Sequence, residues 1–324
     1  MIRRILHRET HGYTPRTVLK SSFAKVIVNP AAGAGKTGRI WPRIMEMFRG
    51  HGLRFEHEMT EAPGHATELA REAVSNGYEL VVSVGGDGTI NEVVNGFYAS
   101  GAINGTALGI VSTGTGSDYI RTLGVPRRCE EACRRFLQPR KITVDLGVLE
   151  YARNGHQVER LFVNIAGTGF DAEIVRRTNQ RQYKALGGLA AYLLGALTTV
   201  LTYRNRDISL KLDGEKVDMR ACAVIVNIGK YGGGGMFTAP DASLDDGLFD
   251  VLIIGNISKP DLVYSLPRIY KGTHLTHPKV SLKRAREIEI APRDGRMPLQ
   301  ADGEPLGHVP ARFRVLPAAL NVVV

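Results

Sequence analysis

Residues 80 to 96 read LVVSVGGDGTINEVVNG. Leu80 to Val84 is apolar apart from Ser83, and so short an apolar run ending in glycines predicts a strand buried on both faces. Gly85-Gly86-Asp87-Gly88-Thr89 follows. Its three glycines allow the backbone to approach a nucleotide, Thr89 brings a hydroxyl, and Asp87 offers a carboxylate to a magnesium ion or its water shell. A plain Asp-Gly turn accounts for two of these five residues and leaves the set unexplained. Ile90 to Phe97 predicts a helix with Asn91 and Glu92 in its first turn, where Glu92 suits the helix dipole and Asn91 holds the loop. Strand, glycine loop and helix in that order place an anion at a helix N-terminus.

The same unit recurs on both sides. Upstream, Ala24 to Val28 predicts a strand, Asn29 to Lys36 (NPAAGAGK) a glycine loop, and Thr37 to Phe48 a helix, with Ile40, Ile44, Met47 and Phe48 at helical spacing. The loop ends like a Walker A motif, in Gly35-Lys36-Thr37, but Pro30 stands where the first glycine is required, which excludes the full nest of backbone donors. Two readings stay open: amides around Gly33 to Lys36, with Lys36 nearby, facing phosphate, or a plain turn with a surface lysine. Phe55 to Met59 predicts a further strand and Gly64 to Ser75 a helix. Downstream, Ala107 to Val111 predicts a strand that runs into Ser112-Thr113-Gly114-Thr115-Gly116-Ser117-Asp118-Tyr119. There Thr115 can donate to a phosphate or an adenine edge, and Asp118 can orient metal-bound water or pair with a base. Alternating strands and helices predict a parallel sheet covered on both faces, with ligands beyond the carboxyl ends of its strands.

The texture changes after Pro139. Lys141 to Val148, Leu161 to Ile165, Ile208 to Leu212, Cys222 to Ile228, Phe249 to Ile254, Val280 to Lys283, Glu287 to Ile290 and Ala311 to Leu316 predict strands with few helices between them, a largely antiparallel domain. The chain has 324 residues, enough for two domains, and the boundary falls near 139 to 150. Its 42 Lys and Arg against 32 Asp and Glu give a net charge of +10, which attracts anionic partners. Neither zinc-finger spacing nor RNA-binding aromatics accompany that charge, which argues against nucleic acid. Three cysteines, Cys129, Cys133 and Cys222, form no disulfide framework and suit a reducing, cytoplasmic compartment. Residues 1 to 23 are basic without a signal-peptide core and read as a tail or a short membrane-touching helix. Ala185 to Tyr203 is uncharged and just long enough to span a bilayer, but its glycines and threonines favour a buried or groove-lining helix. His274 and His277 have ligand-like spacing without companions, and solvent exposure is expected for both.

Taken in order, Asn29-Pro30 with its loop, GGDGTINEVVNG at 85 to 96, TGTGSDYIR at 113 to 121 and VNIAGTGFDAEIV at 163 to 175 resemble the diacylglycerol kinase catalytic domain family, the bacterial lipid kinases with their sphingosine and ceramide kinase relatives. Asn227 with GGGG at 232 to 235, Ala239-Pro240, DDGLFDV at 245 to 251 and DGE at 302 to 304 continue the match through nearly the whole chain. The family loop reads GTGNDFAR, so Ser117 and Tyr119 are departures, while Asp118 and Arg121 are retained.

The resemblance implies an α/β nucleotide-binding domain of the NAD kinase/diacylglycerol kinase fold over 22–145. A mainly antiparallel β, lipid-binding domain over 146–310 follows, with the active site in the interdomain cleft and 311–324 returning to the first domain. It implies ATP and Mg2+, with nucleotide contacts at Asn29, Pro30, Gly33, Lys36, Thr60, Gly85, Gly86, Asp87, Gly88, Thr89, Asn91, Glu92, Gly114 and Thr115. Asp87 and Asp118 are then the catalytic magnesium ligands, through water, and Glu304 the general base. Ser243, Asp246 and Leu248 are implied as a second, structural magnesium loop. The implied reaction moves the γ-phosphoryl group to a lipid hydroxyl, with diacylglycerol giving phosphatidic acid. The acceptor is a lipid substrate at a membrane surface, reached by transient peripheral association. Leu186 to Leu201 with Phe170, Tyr183 and Met236 would form an apolar wall, and Arg176, Arg177, Arg181 and Lys184 would meet anionic phospholipid headgroups. The family also forms homodimers. Competing readings are an NAD-kinase-like small-molecule kinase, a sphingosine or other lipid kinase, and a nucleotide-binding regulator without catalysis.

Overall fold

The computed structural model describes residues 23–179, 195 and 197–324. The basic N-terminal stretch, Arg181, Tyr183, Lys184 and residues 185–194 of the uncharged segment lie outside the described residues. Strands β1 (Ala24–Val28), β2 (Phe55–Met59), β3 (Leu80–Gly85) and β4 (Ala107–Ser112) pair in parallel in the order β2-β1-β3-β4. Helix α1 (Lys36–Gly50) lays Trp41, Ile44 and Phe48 on one face of the sheet, against Val26, Val28, Val82 and Val84. Helices α2 (His65–Ser75) and α3 (Asp87–Ala99) cover the other, where Leu69, Ala70, Val93 and Phe97 meet Ile27, Val81 and Ile110. Successive residues of β1 and β3 therefore feed opposite cores, which is why these strands are apolar throughout. Only the edge strand β2 is largely exposed, and it carries Glu56 and Glu58, both bonded to the Lys25 ammonium at 3.0 and 2.9 Å.

Helix α3 starts at Asp87, three residues before the expected Ile90, so Asn91 and Glu92 fall in its second turn. The Gly86 carbonyl accepts from the amides of Thr89 and Ile90 at 3.0 and 3.1 Å, closing the first turn over the Asp-Gly pair. Propensity reads that pair as a turn, but at a helix start an aspartate complements the dipole.

After helices α4 (Asp118–Leu123) and α5 (Cys129–Arg134) the chain becomes mainly β. Strands β5 (Lys141–Arg153), β6 (His156–Phe162) and β7 (Ile165–Gly169) lead into helix α6 (Phe170–Thr178). Strands β8 (Arg206–Leu212), β9 (Glu215–Ala221) and β10 (Ala223–Asn227) follow, then the short pair β11 (Tyr231–Gly232) and β12 (Met236–Phe237). Strand β13 (Phe249–Ile254), helix α7 (Lys259–Tyr270) and strands β14 (Val280–Ala285), β15 (Glu287–Pro292), β16 (Pro298–Ala301), β17 (Glu304–His308) and β18 (Ala311–Val323) complete it. One antiparallel sheet runs β14-β13-β10-β7-β16-β17, while β5, β6, β8, β9, β15 and β18 extend the first sheet. The second core lies in this sandwich, around Phe162, Phe249 and Phe313, with Phe162 centred 5.7 Å from Phe249 and 6.2 Å from Phe313.

Strand β18 is the seam between the halves. Its Ala311 to Arg314 end pairs with β15, its Asn321 and Val322 pair in parallel with β4, and β5 runs antiparallel beside both ends.

Two expectations are corrected. Leu161 to Ile165 is not one strand, because the chain turns there so that the amides of Val163, Asn164 and Ile165 all donate to the Asp302 carboxylate, at 2.8, 3.1 and 3.0 Å. His274 and His277 are not in solvent but 5% and 7% exposed, His274 against the Thr238 carbonyl and His277 3.2 Å from both Asp261 oxygens, at the base of α7.

Gly96 carries the contact between α2 and α3, since a Cβ there would stand 2.3 Å from the Thr67 carbonyl oxygen and 2.7 Å from the Ala70 Cβ. Gly96→Ala should destabilise the chain by about 1–3 kcal/mol despite the better helix propensity of alanine, read as a lower urea midpoint. An unchanged or raised midpoint would show that the helices part without cost.

Candidate active site

Three loops at the carboxyl ends of β1, β3 and β4 meet backbone to backbone. A Cβ on Gly33 would lie 2.7 Å from the Thr113 carbonyl oxygen, and one on Gly114 would lie 2.7 Å from the Gly86 Cα. The hydroxyls of Thr37 and Thr113 are 2.5 Å apart, and the Thr113 amide donates to the Gly85 carbonyl at 2.7 Å. Asn29 fastens the first loop to the second, its Nδ2 donating to Thr89 Oγ1 at 3.0 Å while its Oδ1 accepts from Ala31 N. The Pro30 carbonyl accepts from the Gly38 amide, and Thr60 closes β2 by donating its amide to the Val28 carbonyl. Lys36 and Thr115 are exposed, and a Cβ on Gly88 would meet nothing within 4 Å. The surface left between the loops is backbone and short polar side chains at the start of α3, which suits an anion.

Asp87 and Asp118 face each other across Gly116, where a Cβ would stand 3.0 Å from Asp87 Oδ2 and 3.9 Å from Asp118 Oδ2. Burial, and then the charge of Asp118, push the Asp87 carboxyl up to about 6. Burial also raises Asp118, against the pull of Arg121, whose Nε lies 3.9 Å from Asp118 Oδ1. Asp118 Oδ2 accepts the Gly234 amide at 2.7 Å, which brings the Gly232 to Gly235 loop of the second domain over this carboxylate. Asp87 Oδ1 and Asp118 Oδ1 are both buried without a hydrogen-bond partner. Two adjacent hard oxygen donors in that state match a divalent cation that keeps much of its water, as magnesium does. Among the described residues no cluster of three or more His, Cys, Asp or Glu side chains suits a metal.

Ser117, where the family has asparagine, turns its hydroxyl inward to Ser112 Oγ at 2.8 Å and sits at φ 57°, a left-handed conformation that asparagine tolerates better. Glu92 Oε2 accepts from the Ala66 amide at 3.2 Å and so caps α2. Asn91 is buried: its Nδ2 donates to the Leu161 carbonyl at 3.1 Å and to Asp302 Oδ2 at 2.7 Å. Its Oδ1 accepts from Arg160 at 2.8 Å, and the same Arg160 nitrogen donates to Glu304 Oε2 at 2.6 Å. Glu304 thus opens β17, tied through Arg160 and Asn91 to the helix that begins with Asp87. The turn that presents it uses Asp302 at φ 45° and Gly303 at φ 82°, with the Gly303 amide on Gln300 Oε1 at 3.1 Å.

The roles of Arg160 and Asp302 were missed from sequence. Arg160 stands in a polar strand stretch without a motif of its own, whereas Asp302 sits in the DGE motif beside Glu304, the residue to which the motif's proton-transfer role points. In the loop at 243 to 248, Ser243 Oγ donates to Asp245, Leu248 N donates to Asp246 Oδ1 at 3.1 Å, and Asp246 is ion-paired with Arg284. That loop docks on buried Asp145, which accepts from Gly247 N and Ala318 N, both at 2.7 Å.

The Diacylglycerol kinase catalytic domain model matches residues 24–149, and the YegS C-terminal NAD kinase beta sandwich-like domain model matches residues 164–324. The diacylglycerol kinase of Bacillus subtilis (strain 168) is 29% identical over 301 residues, covering 93% of this chain and 95% of that protein. That of Staphylococcus carnosus (strain TM300) is 28% identical over 299 residues, covering 92% and 94%. A crystal structure of a diacylglycerol kinase from Bacillus anthracis str. Sterne superposes with a TM-score of 0.67 at 21% identity, over 94% of this chain and 96% of that one, a likeness of fold. With both domain models matched in order, and with relatives spanning nearly the full length, the chain belongs to the diacylglycerol kinase catalytic domain family of ATP-dependent phosphotransferases.

Proposed function

We propose that the chain transfers the γ-phosphoryl group of magnesium-ATP to a lipid hydroxyl, with diacylglycerol as acceptor and phosphatidic acid as product. The pair of unpartnered carboxylate oxygens on Asp87 and Asp118, at the meeting point of the three glycine loops, is the observation that carries this reading. Phosphoryl transfer asks for charge neutralisation, an in-line acceptor and a base. Bound magnesium would supply the first, screening the triphosphate. Asp87 and Asp118 would hold it, and the backbone at Gly88, beside the packed Gly86 and Gly114, stays open to phosphate.

Glu304 takes the proton of the attacking hydroxyl. Arg160 fixes one carboxylate oxygen and leaves the other free to accept, and the side chain is 37% exposed, open to an incoming acceptor. Phe170, Val200, Leu262 and Ile269 are buried in one apolar cluster with Tyr203 and Met236 packed against it, so an acyl chain could lie only along its edge. Arg176 and Arg177 are paired with Glu173, which leaves them a weaker attraction for headgroups than two free cations would have. Among the described residues no helix is long and apolar enough to cross a membrane.

The direct test offers magnesium-ATP with diacylglycerol, monoacylglycerol, sphingosine, ceramide and NAD. Phosphatidic acid is the expected product, and turnover of NAD alone rejects the lipid reading. Glu304→Gln should keep the Arg160 hydrogen bond and ATP affinity while slowing single-turnover phosphoryl transfer by about 10²–10⁴-fold. Parent-like turnover removes Glu304 as the base.

Asp87 gives a second outcome, with a sign. Its folded carboxyl titrates near 6, above the unfolded value, so the folded chain binds the proton more tightly. Stability therefore falls as pH rises from the unfolded value through about 6, and the full penalty applies above that. Asp87→Asn should abolish turnover and raise the thermal midpoint of the ligand-free protein at pH 8, with a smaller difference at pH 4. A midpoint lowered at pH 8 would show that the carboxylate stabilises the empty fold.

A further inference from the structure

Helix α7 is apolar on two sides. Leu262, Ser265 and Ile269 are buried against the second sheet, as expected of a helix covering a core. On the opposite side Pro260, Val263, Tyr264, Pro267 and Tyr270 are exposed, at the i, i+3, i+4, i+7, i+10 positions of one stripe. Val263 is 50%, Tyr264 74% and Tyr270 52% exposed. The stripe continues onto the helical residues 197–202, where Leu197 is 57% and Leu201 64% exposed. The two pieces touch, because the Lys259 ammonium at the start of α7 is hydrogen-bonded to the Leu201 carbonyl and Asn205 Nδ2 donates to the Ile257 carbonyl at 2.8 Å. These are most of the large apolar side chains exposed among the described residues, and a contiguous patch of that kind marks a contact surface.

The charges around the stripe select the partner. Lys259, Arg268 and Lys271 lie on or directly after α7, with the Arg268 guanidinium 5.8 Å from the centre of the Tyr264 ring. Asp261 is the one acid of the helix, and it is turned to His277. Tyrosines beside lysine and arginine, on a helix whose other face is anchored in the protein, form the composition that lies in the headgroup layer of an anionic membrane. We infer that the outer face of α7, with Leu197 and Leu201, is a docking surface for an anionic phospholipid bilayer. A bilayer is preferred to a protein partner because the proposed acceptor is a lipid, so this surface rests on the lipid-kinase reading.

The test is co-sedimentation of the full chain with vesicles of phosphatidylcholine, and with vesicles of phosphatidylcholine and phosphatidylglycerol in equal parts. It compares the parent with a variant carrying Leu201→Ser, Val263→Ser and Tyr264→Ser. The parent should pellet with the mixed vesicles, less so as salt is raised, and the triple variant should bind roughly tenfold or more weakly. The variant's thermal midpoint and its turnover of detergent-dispersed diacylglycerol should match the parent. Equal vesicle binding by the two proteins, or no binding by the parent, overturns the proposal. So does a parent dimer, measured by light scattering, that the triple variant breaks, since the face would then belong to a second copy. Sedimentation is read without turnover, so inactivity on diacylglycerol would count against the kinase reading and leave the vesicle result standing.

Discussion

One buried carboxylate holds the two halves of the molecule in register. Asp302 accepts three consecutive backbone amides from the turn between β6 and β7, and a fourth hydrogen bond from Asn91 on α3. Burial raises its carboxyl, and the hydrogen bonds from Val163, Ile165, Asn91 and Asn164 pull it back. An isolated buried carboxylate would cost several kcal/mol, and only a full shell of donors offsets that. Asp302 is therefore satisfied in this one arrangement of β6, β7 and α3, and a slip of any of them leaves a charge stranded. Two residues later in the chain comes Glu304, and four residues before Asn91 comes Asp87. The groups assigned to proton transfer and cation binding thus hang from opposite ends of one hydrogen-bonded joint.

Burial raises Asp87 and Asp118 as it raises Asp302, but their hydrogen bonding is incomplete. Each has an oxygen with no donor, and each carboxyl is raised by burial. The fold carries this as a destabilising feature, in contrast to the satisfied shell around Asp302. Such local conflicts with the rules for buried polar groups collect where a ligand completes the structure. That contrast, rather than burial alone, separates the candidate cation ligands from the structural acid.

Much of this was legible in the sequence because the α/β half is written in local signals. Continuous apolar runs, glycine loops and helical spacing specify β1, β3, β4, α1 and α2, and the glycine clusters point to one crevice. What was not legible depends on partners distant in the chain. Arg160 looks like any charged residue in a strand until Glu304, which lies 144 positions away, is placed beside it. Leu161 to Ile165 reads as one strand because its composition is apolar, and only the Asp302 carboxylate explains the break. His274 and His277 read as exposed because their partners, Thr238 and Asp261, carry no signal toward them. Gly234, quoted only as part of a glycine run, matters through a single amide on Asp118.

The shared sheet limits how the crevice can change shape. Strand β18 pairs with β15 in the second half and with β4 in the first, with β5 bonded to it near both ends. Rotating the halves as free bodies would break ladder bonds or strand Asp302, each at a cost comparable to much of a domain's stability. Rearrangement on substrate binding is accordingly confined to elements outside that frame. The Gly232 to Gly235 loop is the nearest: it gives Asp118 a backbone amide and lies between the two-residue strands β11 and β12, anchored at Tyr231 by Asn164 Nδ2. A cation held by the unpartnered Oδ1 atoms of Asp87 and Asp118 would share the Asp118 carboxylate with that amide, which stays on Oδ2. Loading of the site and the position of this loop are therefore linked through Asp118, without any movement of the sheet.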